Sequence, residues 1–278
     1  MTISDILKAC SLCPGLCRIR CPIYSASRDL RAAPDRLGLA GLYVLEHGDN
    51  DLLYNLELCT GCKYCVDNCP IKNDLPRAIF KLRTLIPDVV LEDEVEKYKK
   101  IHLEGLYLAL DLSTLKLDTY KLNQYGFNTL DTSTLYRLIS YGYEITLEGS
   151  GRILTEDLDV FPPSNGAIEL SIMYDWGRKE IGEYILHIPC KAREYTNQII
   201  ERACELFGKP LKTIVGCTGS GGFVSNNYPD LSIKVSRMLV KRLTHPVVTL
   251  CIHSLKTFKS LGLDAYTPAS IYLGEDVS

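Results

Sequence analysis

Eight of the chain's twelve cysteines fall before residue 70, in two tight runs. The later run, LCTGCKYCVDNCP, reads Cys59-x2-Cys62-x2-Cys65-x3-Cys69-Pro70, which is the spacing C-x2-C-x2-C-x3-C-P of cubane iron–sulfur ligation. A loop this tight brings three thiolates to three corners of one cluster while backbone N–H groups face its sulfides. The fourth cysteine, at the proline turn, reaches a second cluster. The earlier run, CSLCPGLCRIRCP, supplies the partner that this geometry requires: Cys10-x2-Cys13-x3-Cys17-x3-Cys21-Pro22. Two [4Fe–4S] clusters are therefore expected. Cys10, Cys13, Cys17 and Cys69 would hold the first, and Cys59, Cys62, Cys65 and Cys21 the second. The earlier run carries one extra residue, within Pro14-Gly15-Leu16, which widens its loop. Zinc is the competing chemistry, but structural zinc usually draws paired cysteines from separated segments rather than four from one run.

Composition narrows the setting. In 278 residues, 31 basic side chains meet 34 acidic ones, for a formal charge of -3, and no basic run suggests nucleic acid. The opening MTISDILKAC lacks a positive n-region and a long apolar stretch, and no apolar run approaches the roughly 20 residues of a membrane span. A cytoplasmic chain is expected. In a reducing compartment its cysteines serve metal or redox chemistry rather than structural disulfides.

The elements around the runs read as helices. Pro34 suits a first turn and Gly48 a C-cap, with Leu37, Ala40, Val44 and Leu45 on one face between them. DNDLLYNLEL predicts a second helix running into Cys59. DLPRAIFKLRTLI predicts a third, with Leu75, Ile79, Leu82 and Ile86 in phase. Pro87 and the charged stretch EDEVEKYKK mark a change of regime, the latter as a solvated face. Beyond it the pattern is that of an α/β unit. EYILHIPC, LKTIVGC and PVVTLC read as strands, each followed by an amphipathic helix, the first of these closed by Gly208. Cys190, Cys217 and Cys251 stand at the C-terminal ends of those strands, where an open parallel sheet presents its ligands. They form a candidate site for a third iron–sulfur cluster, with His253 as a further ligand. Zinc held by the same four residues and inert buried thiols are the alternatives. Cys204, inside the first helix, is expected to pack. GCTGSGG fits neither phosphate-loop pattern and no lysine follows it. FPPSNG reads as an exposed loop.

Residues 8–86, with both runs, both prolines and the helical spacer, resemble the helical ferredoxin domain of a large iron–sulfur family. Its members include the C subunit of heterodisulfide reductase and the iron–sulfur subunits of glycolate oxidase and anaerobic glycerol-3-phosphate dehydrogenase. The resemblance extends to that family's Cys-Cys-Gly domain with departures: Cys190 is kept, Thr218 follows Cys217, and Ser254 replaces the last cysteine after Cys251. The family commonly has two such units, and GLYLALD and YEITLEG within residues 105–150 would be strands of the other, with Glu148 where Cys251 stands in the later copy.

The expectation is thus an α+β multidomain chain. Residues 1–88 would be a helical ferredoxin domain and residues 89–278 an α/β domain of two Rossmann-like half-units. The resemblance implies an electron-transfer subunit, without catalytic residues of its own, between a flavoprotein dehydrogenase acting on a small hydroxy acid or glycerol phosphate and a quinone or other carrier. A quinone acceptor would place the chain peripherally at the inner face of a membrane. The alternatives are a heterodisulfide reductase-like catalytic subunit with substrate at the C-terminal cluster, and a C-terminal domain that only docks the ferredoxin on its partner.

Overall fold

A computed structural model describes the chain except residues 49, 86–94, 96, 99, 111–125, 142, 159, 162–167, 242 and 274–278. Pro87, Ile86, most of the charged stretch and residues 162–166 of the FPPSNG stretch lie outside the described residues, while Phe161, expected in an exposed loop, is buried. The architecture is an N-terminal helical region followed by parallel-sheet α/β structure. By packing, the chain divides into two compact units. The first combines Met1–Val95, Arg137–Glu144 and Cys217–Leu239; the second comprises Glu96–Tyr136, Ile145–Gly216 and Val240–Ser278.

The first unit is helical. Its elements are α1 (Ile3–Ser11), α2 (Pro22–Ser27), α3 (Pro34–His47), α4 (Leu53–Leu56), α5 (Tyr64–Asp67) and α6 (Leu75–Arg83), joined by the later helices Val224–Asn227 and Pro229–Leu239. A reciprocal cap starts α1: the Thr2 hydroxyl accepts from the Asp5 amide, and the Asp5 carboxylate accepts from the Thr2 amide. Its core gathers Ile6 and Leu7 with Leu37, Val44, Leu53, Leu56, Leu75, Ile79 and Leu82. Each such side chain contributes about 1.5–3 kcal/mol of burial. The face of α3 differs from the expected one. Leu37 and Val44 are buried, but Leu45 is 43% exposed, and Gly38 and Gly41 take part in the contact. A Cβ at Gly41 would stand 2.9 Å from a Leu7 methyl, so the missing side chains let α1 lie close. The expected second helix is shorter than its pattern, a 3-10 turn at Asn50–Leu52 leading into α4.

The second unit carries the sheets. Strands β1 (Lys100–Leu103), β2 (Leu106–Leu110), β3 (Asn128–Asp131), β4 (Thr146–Gly149), β5 (Arg152–Thr155) and β6 (Ile168–Leu170) form a parallel pair β1-β4 and a parallel sheet β3-β2-β5-β6. Both segments expected as strands in residues 105–150 are present, but β2 and β4 fall in different sheets. Glycine explains the division. Gly105 and Gly149 have positive φ, and a Cβ at Gly149 would stand 2.3 Å from the Leu103 carbonyl. The chains bend there while two bonds bridge the bend, Gly151 N–H to Leu103 O and Arg152 N–H to Gly105 O.

Strands β7 (Ile185–Pro189), β8 (Lys212–Gly216), β9 (Val247–Thr249) and β10 (Ala265–Tyr266) form a second parallel sheet, in order β10-β9-β7-β8. Interior β7 is buried at all five positions, whereas edge β8 alternates, as expected for a strand covered on both sides beside one that is not. His187, midway along β7, is fully buried, with Nδ1 paired to the Thr249 hydroxyl at 2.8 Å. Burial pulls its pKa down to about 4 from an ordinary 6.5. The unfolded chain therefore takes up this proton first, and stability falls as pH drops from about 6.5 towards 4, by at most on the order of 3 kcal/mol. The difference in urea midpoint between the parent protein and His187→Gln, followed across that window, should shrink as pH falls. A pH-independent difference would refute the assignment.

Candidate iron–sulfur site

Cys10, in the last turn of α1, stands with Cys13 and Cys17 from the following loop and with Cys69 from the later run. They line one cavity of about 240 Å³, walled also by Pro14, Asp35 and Asn73, with Cys65 at its edge. Two hydrogen bonds already point at sulfur. The Asn73 amide donates to Cys10 Sγ at 3.0 Å and the Gly15 N–H donates to Cys13 Sγ at 3.5 Å. Burial pushes the Cys10 thiol up to about 12, against the Asn73 bond, and its neighbours Cys17, Cys69 and Cys13 raise it further. Burial and Cys13 likewise push Cys17 up to about 11. Four crowded thiolates repel one another, and a cationic iron core relieves that repulsion while taking the place of the protons.

The extra residue of the earlier run has a structural answer. Gly15 adopts φ +77°, and a Cβ there would lie 2.5 Å from Arg18 Nε. Arg18 grips buried Asp35 with both prongs, its Nε donating at 2.6 Å, so the widened loop is clipped to the start of α3. Gly38, one turn further, is where α3 crosses Cys10: a Cβ would fall 2.4 Å from the Cys10 Cβ.

Cys21, Cys59, Cys62 and Cys65 line a second, narrower space of about 20 Å³. Seating a cubane there requires the cysteine side chains to rotate outward. Cys21 caps α2 just before Pro22, and Cys65 lies in α5. Gly61 (φ +72°) and Lys63 (φ 60°) turn the backbone of the run, and Phe80 lies against Gly61. Burial, with Cys62 and Cys59 nearby, pushes Cys21 up to about 12. Burial raises Cys65 strongly as well. Cys62 is raised first by a hydrogen bond shared with Cys217 and then by burial. Fully buried Arg83 holds the approach to this run. Its Nη2 donates to the carbonyls of Leu56 and Cys59, both at 2.6 Å, and its guanidinium lies 4.5 Å over the Phe80 ring.

The later candidates are distributed differently. Cys190 and Cys217 directly follow β7 and β8, and Cys251 lies two residues past β9, as the strand pattern predicts. Cys190 and Cys251 belong to the second unit, but Cys217 belongs to the first, beside Cys62. His253 is buried in the second unit, with Nε2 3.2 Å from Asp157 Oδ1 and its ring 4.1 Å from that of Tyr136. Cys204 lies within the helix Thr196–Phe207, half-buried. Glu148 pairs with Lys100 at 2.8 Å on the surface of β1-β4. Sequence reasoning missed Asn73, Arg18, Asp35, Thr60 and Arg83. Only Asn73 carried a signal, being a polar residue at the first turn after Cys69-Pro70.

Residues 6–73 match the family model described as a 4Fe-4S dicluster domain. The N-terminal quarter of the chain is an iron–sulfur segment. The matched span opens at Ile6 and closes at Asn73, the two residues joined by a bond from the Asn73 amide to the Ile6 carbonyl at 2.8 Å. Comparisons with curated proteins and with solved structures found no match.

Two substitutions separate the thiol sets. Cys69→Ala should remove the signal of the cluster at Cys10, Cys13 and Cys17 more than that at Cys59, Cys62 and Cys65, read by EPR after anaerobic reduction. Loss confined to the second cluster would refute the crossed arrangement. Gly38→Val, by displacing Cys10, should cost about four of an expected eight irons per chain. Full iron content in that variant would show that α3 tolerates the side chain.

Proposed function

We propose that this chain is an electron-transfer subunit whose residues 1–88 hold two [4Fe–4S] clusters, with residues 89–278 as the accompanying α/β domain. The observation that carries the reading is where the last cysteine of each run stands. Cys69 lines the cavity of the earlier run, and Cys21 lines that of the later one. Two sites sharing ligands in this way stand close together, the requirement for passing single electrons between them. When bound, the clusters supply one-electron chemistry at potentials set by charge, hydrogen bonds to sulfur and exposure. The chain's own residues supply those terms: the amides of Asn73 and Gly15 on the first set, burial and the Cys217 contact on the second. Thiols spread around a volume also suit a polynuclear core better than a zinc ion, whose four ligands converge on one point.

The substrate chemistry belongs, in this reading, to a partner flavoprotein oxidising a small hydroxy acid or glycerol phosphate, with a quinone or other carrier as acceptor. Among the described residues no helix is long and apolar enough to cross a membrane, so a quinone would be met through a partner or at a membrane surface. Eight irons per chain follow from the two N-terminal thiol sets alone. Twelve irons would instead place a third cluster at Cys190, Cys217 and Cys251, which follow β7, β8 and β9.

Protein purified anaerobically should be brown, carry about eight irons and eight acid-labile sulfides, and bleach with dithionite. Colourless protein with stoichiometric zinc would sink the proposal. The purified chain should show no hydroxy-acid dehydrogenase activity with an artificial acceptor until its co-purifying flavoprotein is added. Turnover by the isolated chain without flavin would overturn its role as a wire.

A further inference from the structure

The thiols of the first set are framed by apolar side chains that the fold leaves in water. Leu12 stands beside Cys13, Leu16 beside Cys17 and Ile71 two residues past Cys69, and they are 86%, 64% and 62% exposed. Leu16 and Ile71 line the cavity together with Pro14 and Pro70, which are also exposed, so its rim is apolar. The later run is framed differently: Leu58, Thr60 and Gly61 around Cys59 are buried. Single exposed apolar residues are ordinary, but a group gathered around one candidate redox centre marks a contact surface.

The charges around this rim are mostly of one sign. Residues 8–36 carry six basic side chains against two acidic ones, in a chain whose formal charge is -3. Both acids are already taken. Arg18 and Arg36 share the carboxylate of buried Asp35, which leaves one positive charge over, and Asp29 pairs with Arg31. Arg20, closing the 3-10 turn after Cys17, is exposed and meets no carboxylate among the described residues. Lys72, next to Ile71, donates to the Asp67 carbonyl at 2.7 Å, beside the Asn68 that lines the cavity. Asp67 is the only acid between Cys59 and Lys72.

We infer that this face docks a small one-electron carrier protein whose own redox centre lies in an acidic surface, and that the first thiol set is the port through which the electron passes. The inference rests on the electron-transfer reading and adds the charge of the partner and the cluster it meets. One electron crosses the contact, so that the carrier's centre is oxidised as the cluster is reduced, or the reverse, and no bond is made or broken. A transient redox encounter needs only a small contact, below about 1,200 Å², with apolar residues at its centre and opposite charges steering the approach. An anionic membrane would also meet basic charge. The apolar residues here, however, sit in two short loops around a cavity and not along one face of an amphipathic helix.

The test is stopped-flow reduction of the anaerobic full chain by a reduced plant-type ferredoxin, an acidic carrier with a potential of about -400 mV. The chain is taken as parent, Arg20→Glu and Leu12→Ser, two positions outside the cavity lining. Iron content, and the rate of photoreduction by the neutral small molecule 5-deazariboflavin, should be the same in all three. Expected at low ionic strength is a second-order rate constant with ferredoxin that falls about tenfold in Arg20→Glu and severalfold in Leu12→Ser. The parent's rate should also fall as salt is added. An unchanged rate in either variant would overturn the inference and leave the electron-transfer reading standing. So would an absence of transfer from ferredoxin to a chain that the deazaflavin reduces. Co-sedimentation of the parent, but not of Arg20→Glu, with phosphatidylserine vesicles at physiological salt would overturn it by giving the face to a membrane surface. A parent protein without cluster iron would overturn both readings together.

Discussion

In two cysteine runs separated by 37 residues, the last thiol of each lines the cavity of the other, and this placement constrains the packing of the first unit. Cys69 lines the earlier run's cavity beside a core in which α1, α3 and α6 pack tightly, and α3 presents glycine where it meets α1. At Gly38 the spacing is so short that even a methyl group would collide with Cys10. Hydrophobic burial supplies the attraction through Leu7, Leu37, Ile79 and their neighbours, but the absence of two side chains decides how close the helices come. Asn73 then ties the two ends of the segment together, donating both to the Ile6 carbonyl and to Cys10 Sγ.

Much of this was legible in the sequence because thiol spacing and helix phase are local signals. Leu75, Ile79 and Leu82 fall on the buried face as their period requires, and the strands ending at Pro189, Gly216 and Thr249 stand where the apolar runs put them. The face of α3 was misread at Leu45 because periodicity weighs apolar residues and is blind to glycine as a contact residue. The split of β2 and β4 between two sheets was equally hidden, since it depends on Leu103 lying opposite Gly149. Arg83 gave no warning either: three of its acceptors are backbone carbonyls, which leave no mark on a sequence.

The strand-end cysteines stand where the apolar runs put them. Three neighbouring parallel strands each end at or near a thiol, and Cys190 and Cys217 follow the paired positions Pro189 and Gly216. The backbone beyond β8 folds with the helical unit, through Val224 and Val235 packing on Ile23, Ala32 and Leu58.

This arrangement has a consequence for synthesis. The first unit is not contiguous: residues 217–239 complete it after most of the second unit has been made. Cys69 and Cys217 are 148 residues apart, so at translation rates of about 5–20 residues per second the later run waits roughly 7–30 s in the nascent chain before its wall emerges. The earlier thiol set is lined by residues no later than Leu75, and α6, which packs beneath it, ends at Arg83. The ribosome therefore delivers the residues that line the first thiol set well before the segment that packs against Leu58 and the later run.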